Sequence, residues 1–160
     1  MKQERKNALV KISGDLISRP EVIEWIRSLT KTHYTVICVG GGSQINEEFR
    51  RRGIKIDFGP LGRKTKTLEE RQLARDILEL NQRDVQNLLA ENGIMAVVMI
   101  PVVDIATVLC HVNGDIYVKM AYLGFHDLYV LTFESRKAAK EKVFEGLHRV
   151  RVVGFPDKLI

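Results

Sequence analysis

The chain has 160 residues, 45% of them apolar and 28% charged, with a net charge of +5 at neutral pH. This suits one domain with its own core, or a sub-domain of something larger, in the ordinary composition range of soluble globular proteins. The longest apolar run, Ile94 to Val103, is too short to cross a membrane and contains Pro101, and the charged start at Met1 to Lys6 is unlike a secretory signal, so a cytoplasmic protein is expected.

In chain order, Ala8 to Ile12 reads as a first strand running into Ser13-Gly14-Asp15, and Pro20 to Leu29 as a helix with proline in its first turn. Val36 to Val39 is β-branched and apolar, hence a buried strand. Gly40, Gly41 and Gly42 follow it, and Ser43 stands as the expected N-cap of a helix carrying Ile45 and Phe49. Ile54 to Phe58 alternates apolar and charged residues, the mark of a strand with one wet face or half of a hairpin, and Gly59-Pro60-Leu61-Gly62 breaks it. Thr67-x-x-Glu70 is a capping box, and it predicts a long helix from Leu68 to about Asn92, stopped by Gly93. Strands are then expected at Ile94–Ile100, Ile105–Val112, Leu128–Thr132 and Val150–Val153, with helices at Ile116–Leu123 and Ser135–Glu145. Strands alternating with helices imply a mainly parallel open sheet covered on both faces, an α/β sandwich of three layers in one domain.

The charge excess sits in three clusters: Arg50 to Arg52; Arg63, Lys64 and Lys66; and Arg136, Lys137, Lys140 and Lys142. These suit an anionic small molecule better than nucleic acid, because only 7% of the chain is aromatic and base stacking would have little to use. No histidine has a partner at metal-ligand spacing, so no metal site is expected. Cys38 and Cys110 lie in apolar strand-like segments and read as buried thiols. Phosphate-loop and dinucleotide fingerprints are missing.

Four loops remain as candidates for chemistry. Lys11 lies on an otherwise apolar strand, where burial is costly unless the ammonium meets an anion; the plainer reading is a lysine at the strand edge reaching solvent. Gly40 to Gly42 present backbone N–H groups and a helix N-terminus to an anion, or else serve a tight turn needing positive φ. Arg63, in Gly62-Arg63-Lys64-Thr65, offers a fork for a carboxylate, or is a solvated basic turn. His111-Val112-Asn113-Gly114-Asp115 closes the set, and by itself Asn-Gly-Asp is a turn. In an open parallel sheet all four fall at the carboxyl ends of strands, where ligands bind.

The segments V-K-I-S-G-D, V-I-C-V-G-G-G-S-Q-I-N, G-R-K-T-K-T-L-E-E, H-V-N-G-D and G-F-H-D-L-Y-V-L-T resemble, in order, five motifs of the amino-acid kinase family, and are nearest to its N-acetylglutamate kinases. The opening motif has the serine form seen in uridylate kinases. The resemblance covers about Leu9 to Thr132. It implies an αβα sandwich and phosphoryl transfer from ATP, with Mg2+, to a small carboxylate or phosphate acceptor. Lys11 and Asp115 would be catalytic, the lysine stabilising the transferring group and the aspartate orienting the catalytic lysines. Gly14 and Gly40 would bind phosphate, and Gly41, Gly42, Arg63 and Asn113 would bind substrate, a small anionic metabolite. A homodimer paired through the long helix is implied as well.

The sequence departs from the family in its second half. Phe133 replaces the aspartate after the threonine, Glu134-Ser135-Arg136-Lys137 replaces a glycine-rich turn, and the later segment with a second catalytic lysine has no recognisable counterpart. Two readings follow: a kinase with a shortened ATP site, built with the basic helix Ser135–Glu145, or a catalytically degenerate relative acting as a ligand-binding or regulatory subunit.

Overall fold

The computed structural model describes residues 4–60, 62–105, 108–111 and 113–158, with 103–105 and 108–111 described by their backbone alone. Five strands, β1 (Lys6–Ile12), β2 (His33–Val39), β5 (Val97–Met99), β8 (Asp127–Phe133) and β9 (Val150–Phe155), form one parallel sheet in the order β5-β2-β1-β8-β9. The sheet grows outward from β1 on one side and then, from β8, on the other. β1 is therefore the middle strand, and the switch in direction of growth lies beside it.

Helices α1 (Pro20–Thr30) and α3 (Leu68–Glu91) cover one face. Val22, Ile26 and Leu89 pack there on Ala8, Val10, Ile12 and Ile37. On the other face Val118 of α4 (Gly114–Ala121) and Phe144, which follows α5 (Glu134–Val143), cover Leu9, Cys38, Leu128 and Val130. The result is the expected three-layer αβα sandwich. Because β1 is buried on both faces, its apolar residues run on without alternation. Helix α2 (Gly42–Arg51) rests on α3 rather than on the sheet, through Ile45, Phe49, Ala74 and Leu78. Burying side chains of this size stabilises the fold by about 1.5–3 kcal/mol each.

Several boundaries differ from the sequence reading. Ser43 is not the N-cap of α2: the helix starts at Gly42 behind Gly41, and the Ser43 hydroxyl donates to the Asp15 carboxylate at 3.0 Å. Most of Ile54–Phe58 is unpaired, and only β3 (Phe58–Gly59) pairs, with β4 (Gly62–Arg63), as a short antiparallel hairpin. The expected strand Ile105–Val112 is instead the second arm of a hairpin, β6 (Val102–Ile105) with β7 (Val108–His111). Ala106, Thr107 and Val112 of that expectation lie outside the described residues, as do Leu61 and the side chains of Cys110 and His111. Cys38 is a buried free thiol, as expected. No helix among the described residues is long and apolar enough to cross a membrane.

Candidate functional site

The site begins with Lys11, one residue before the end of the middle strand. Its neighbours in register are Cys38 on β2 and Val130 on β8, so no edge lets the ammonium escape sideways to solvent. The side chain is 13% exposed and reaches Asp115 Oδ1 at 3.6 Å. The strand-edge reading of Lys11 is thereby overturned. Burial pushes the Lys11 ammonium below its ordinary pKa, and the Asp115 carboxylate opposes that push. Beside it, burial raises the Cys38 thiol to about 12, so sulfur supplies no thiolate here.

Asp115 is the second residue of α4. The Asn113 side chain caps this helix by accepting from the Asp115 N–H at 2.8 Å, which sets the aspartate over the strand ends. Gly114 between them has a steric role, since a β-carbon there would lie 3.0 Å from Lys11 Cε. Asn-Gly-Asp is thus more than a turn: cap, clearance and carboxylate in three consecutive residues. The second oxygen of Asp115, Oδ2, accepts from Lys140 Nζ of α5. Oδ1 is buried and has no hydrogen-bond donor among the described residues, Lys11 lying just beyond that range. One carboxylate therefore stands between two ammonium groups from different layers. Sequence reading placed Lys140 only within a basic helix, with no signal separating it from Lys137 or Lys142.

The three glycines do different things, and none has positive φ. The Gly40 N–H donates to Ile12 O at 3.2 Å, and its carbonyl accepts from Asn81 Nδ2 at 3.1 Å. A β-carbon on Gly41 would sit 2.8 Å from Asn81 Nδ2 and 3.1 Å from Leu78 Cδ2, so this glycine allows α2 to close on α3. Gly42 has open space where a side chain would be. The first-turn N–H groups of α2 have no intrahelical acceptors and carry the positive end of its dipole. Gly14 packs against this loop, its missing side chain 3.1 Å from Gly40 O.

Arg63 arrives on the β3–β4 hairpin, and Gly62 (φ +104°) lets that hairpin touch Asn113. Its fork is engaged within the chain. NH1 donates to Asn46 Oδ1 and NH2 to Gly42 O at 3.1 Å, while the guanidinium lies 5.4 Å from the Phe49 ring centre and 4.9 Å from that of Phe58. Nε is buried without a partner among the described residues, and desolvation lowers the group's pKa. Here Arg63 holds the first turn of α2, with one N–H of each terminal nitrogen engaged within the chain rather than by a substrate carboxylate.

All eight residues expected from sequence (Lys11, Gly14, Gly40, Gly41, Gly42, Arg63, Asn113 and Asp115) line one cavity of about 180 Å3, together with Lys140. Among the described lining residues three cations face one carboxylate, a surplus of positive charge that suits a dianion. At about 4 Å and an effective dielectric near 20, each cation–anion pair in such a site is worth roughly 4 kcal/mol before desolvation. No group of three or more potential metal ligands occurs among the described residues.

No family model and no curated protein matches the sequence. Solved structures do match the fold. An N-acetylglutamate synthase from Neisseria gonorrhoeae complexed with coenzyme A and L-arginine superimposes with a TM-score of 0.59 at 9% identity, over 93% of this chain and 56% of that one. The same enzyme complexed with coenzyme A and N-acetyl-glutamate gives 0.60 at 11% identity, over 96% and 55%. The chain spans about half the length of these neighbours, and at such identities the likeness is one of fold.

Proposed function

We propose that the chain is an amino-acid-kinase-type phosphotransferase domain that moves a phosphoryl group from ATP to the carboxylate or phosphate of a small metabolite. The observation that carries this reading is the Lys11–Asp115–Lys140 arrangement at the floor of the cavity. Phosphoryl transfer asks a protein mainly for positioning and for charge stabilisation of the moving group. Two ammonium groups fixed by one carboxylate supply that charge, and α2 adds backbone N–H groups at Gly42. Lys140 then takes the part of the second lysine that sequence comparison did not find. A cavity of about 180 Å3 suits a phosphoryl group beside a small acid, and the nucleoside would lie outside it, along α5. Asp115 is the one carboxylate among the described residues lining the cavity and is already engaged by two lysines, so magnesium would be held chiefly by the nucleotide's phosphates.

One observation favours a second reading, a ligand-binding or regulatory subunit without turnover: α5 starts at Glu134 directly after β8, with no glycine turn to cradle a nucleotide. Thermal shift separates the two. The kinase reading expects ATP with Mg2+ to raise the melting temperature and small acids such as acetylglutamate or UMP to release ADP. Stabilisation by an acid together with none by ATP would leave the binding-module reading standing alone. A homodimer is part of the proposal, with the half-exposed Leu80 and the exposed Leu68 of α3 available for pairing; a monomeric mass in sedimentation at micromolar concentration would remove it.

A further inference from the structure

At the opposite end of the sheet, where the strands begin, lies a second cavity of about 420 Å3. Its floor is a chain of polar contacts running across the sheet. Asp127, buried on β8, meets His33 of β2 at 3.2 Å (Oδ2 to Nε2). The intervening strand β1 permits this because Ala8, the register partner of Asp127, is small. Arg151 of β9 places NH1 3.0 Å from Asp127 Oδ1 and donates from the same nitrogen to the Tyr129 hydroxyl at 2.8 Å. Tyr129 is held edge-on to Trp25, with ring centres 5.1 Å apart, and the Thr32 hydroxyl lies 2.8 Å from His33 Nδ1. The framework is thus fixed from both sides.

The carboxylate of Asp127 is answered at both oxygens, and the cations around it are not used up. Lys6 and Lys31 have no ion-pair partner among the described residues, and Arg151, paired with Asp127 through NH1, shows no hydrogen bond from Nε or NH2 among them. With Arg5 the cavity lining carries four cations against Glu4 and Asp127. The Tyr129 hydroxyl accepts from Arg151 and keeps its own proton to donate. Exposed cations hold a monovalent ion weakly one at a time, whereas an anion with several charges engages them together.

We propose that this cavity is a second binding site, separate from the phosphoryl-transfer cavity, for a small multivalent anion gripped by Lys6, Lys31 and Arg151. Phosphate-bearing and polycarboxylate metabolites share that chemistry. The test is a titration of the 15N-labelled full chain with pyrophosphate and, separately, with citrate, followed through the backbone amide resonances. Saturable shifts are expected at Lys31, Thr32, His33 and Arg151, and the tighter of the two probes identifies the ligand class. The double variant Lys6→Ala/Lys31→Ala, altered only at exposed positions, should bind about tenfold more weakly or worse. Lys11→Met should leave these shifts in place, which keeps this site's failure distinct from failure of the kinase reading. Shifts confined to the Lys11–Gly42 region, shifts that a chloride titration of equal ionic strength reproduces, or wild-type affinity in the double variant would each overturn the proposal.

Discussion

Lys6 and Lys11 sit at opposite ends of one strand, and the same side chain meets two different environments. Lys11 is enclosed by α4, α5 and the glycine loop, its charge set against a carboxylate shared with Lys140. Lys6 is exposed, on the rim of a cavity whose one buried carboxylate already has its partners. The buried end concentrates charge at low dielectric, where each interaction is strong and each unpaired group costly. The open end spreads charge under solvent screening, where ions are held by number. Tight, oriented stabilisation of a reacting group belongs to the first end, and reversible capture of a diffusible anion to the second.

The largest effect should come from removing the carboxylate of the buried end. Asp115→Ala leaves Lys11 and Lys140 facing each other uncompensated, and breaking a buried pair in this way costs about 3–5 kcal/mol. Turnover, once an acceptor is found, should fall by at least about a hundredfold. Urea denaturation and ADP release check the two parts. A variant as stable as wild type would show that the lysines are solvated and that the contrast between the two ends is overstated. The glycines sharpen it next. Gly41→Ala should cost about 1–3 kcal/mol, because its β-carbon meets Asn81 and Leu78 of a packed helix. Gly42→Ala meets nothing, and as the first residue of α2 it should keep or raise stability by up to about 1 kcal/mol while weakening ligand binding. Melting temperature with and without ligand separates these neighbours.

How far the sequence foretold this follows from the range of each interaction. The cap on α3 was legible because Thr67 accepts from Glu70 N–H three residues on, a contact written within four letters. The convergence of Lys11, the glycines, Arg63 and Asp115 was legible in outline because each loop follows a strand of a parallel sheet, and the resemblance to a family named the residues; strand order itself is not encoded locally. Lys140 was not singled out: its role depends on where α5 crosses from β8 to β9, and its basic neighbours carry the same chemistry. Ser43 misled because a serine before a helix is a good cap, yet the helix starts one residue before it, at Gly42 behind Gly41, with no side-chain cap. The cavity at the strand starts left no trace, because His33, Asp127 and Arg151 are far apart in sequence and meet only through the sheet.

Alkali should separate the buried groups by sign. Cys38 has its pKa raised to about 12, so above its ordinary 9.0 the unfolded chain gives up a proton that the folded one keeps, and stability falls with rising pH. Lys11 has its pKa lowered, so between that depressed value and the ordinary 10.5 the unfolded chain holds the extra proton and stability rises with pH. Near pH 10 the cysteine alone should cost about 1 kcal/mol. The stability difference between wild type and Cys38→Ala should therefore shrink above pH 9, while that between wild type and Lys11→Met should move the other way. Parallel denaturation curves at pH 7 and pH 10 for the three proteins read both signs.

The smallest test compares two helix starts. Thr67→Ala removes the acceptor for the Glu70 N–H and should cost about 1 kcal/mol. Ser43→Ala removes a hydroxyl that reaches the Asp15 carboxylate across an exposed surface and caps nothing, so its cost should stay within about 0.5 kcal/mol. If Ser43→Ala proved as costly as Thr67→Ala, the serine would be supporting the first turn of α2 after all. The open N–H groups beside Gly42 would then be partly satisfied by the chain itself, and the buried end of β1 would have fewer donors to offer a ligand than its geometry implies.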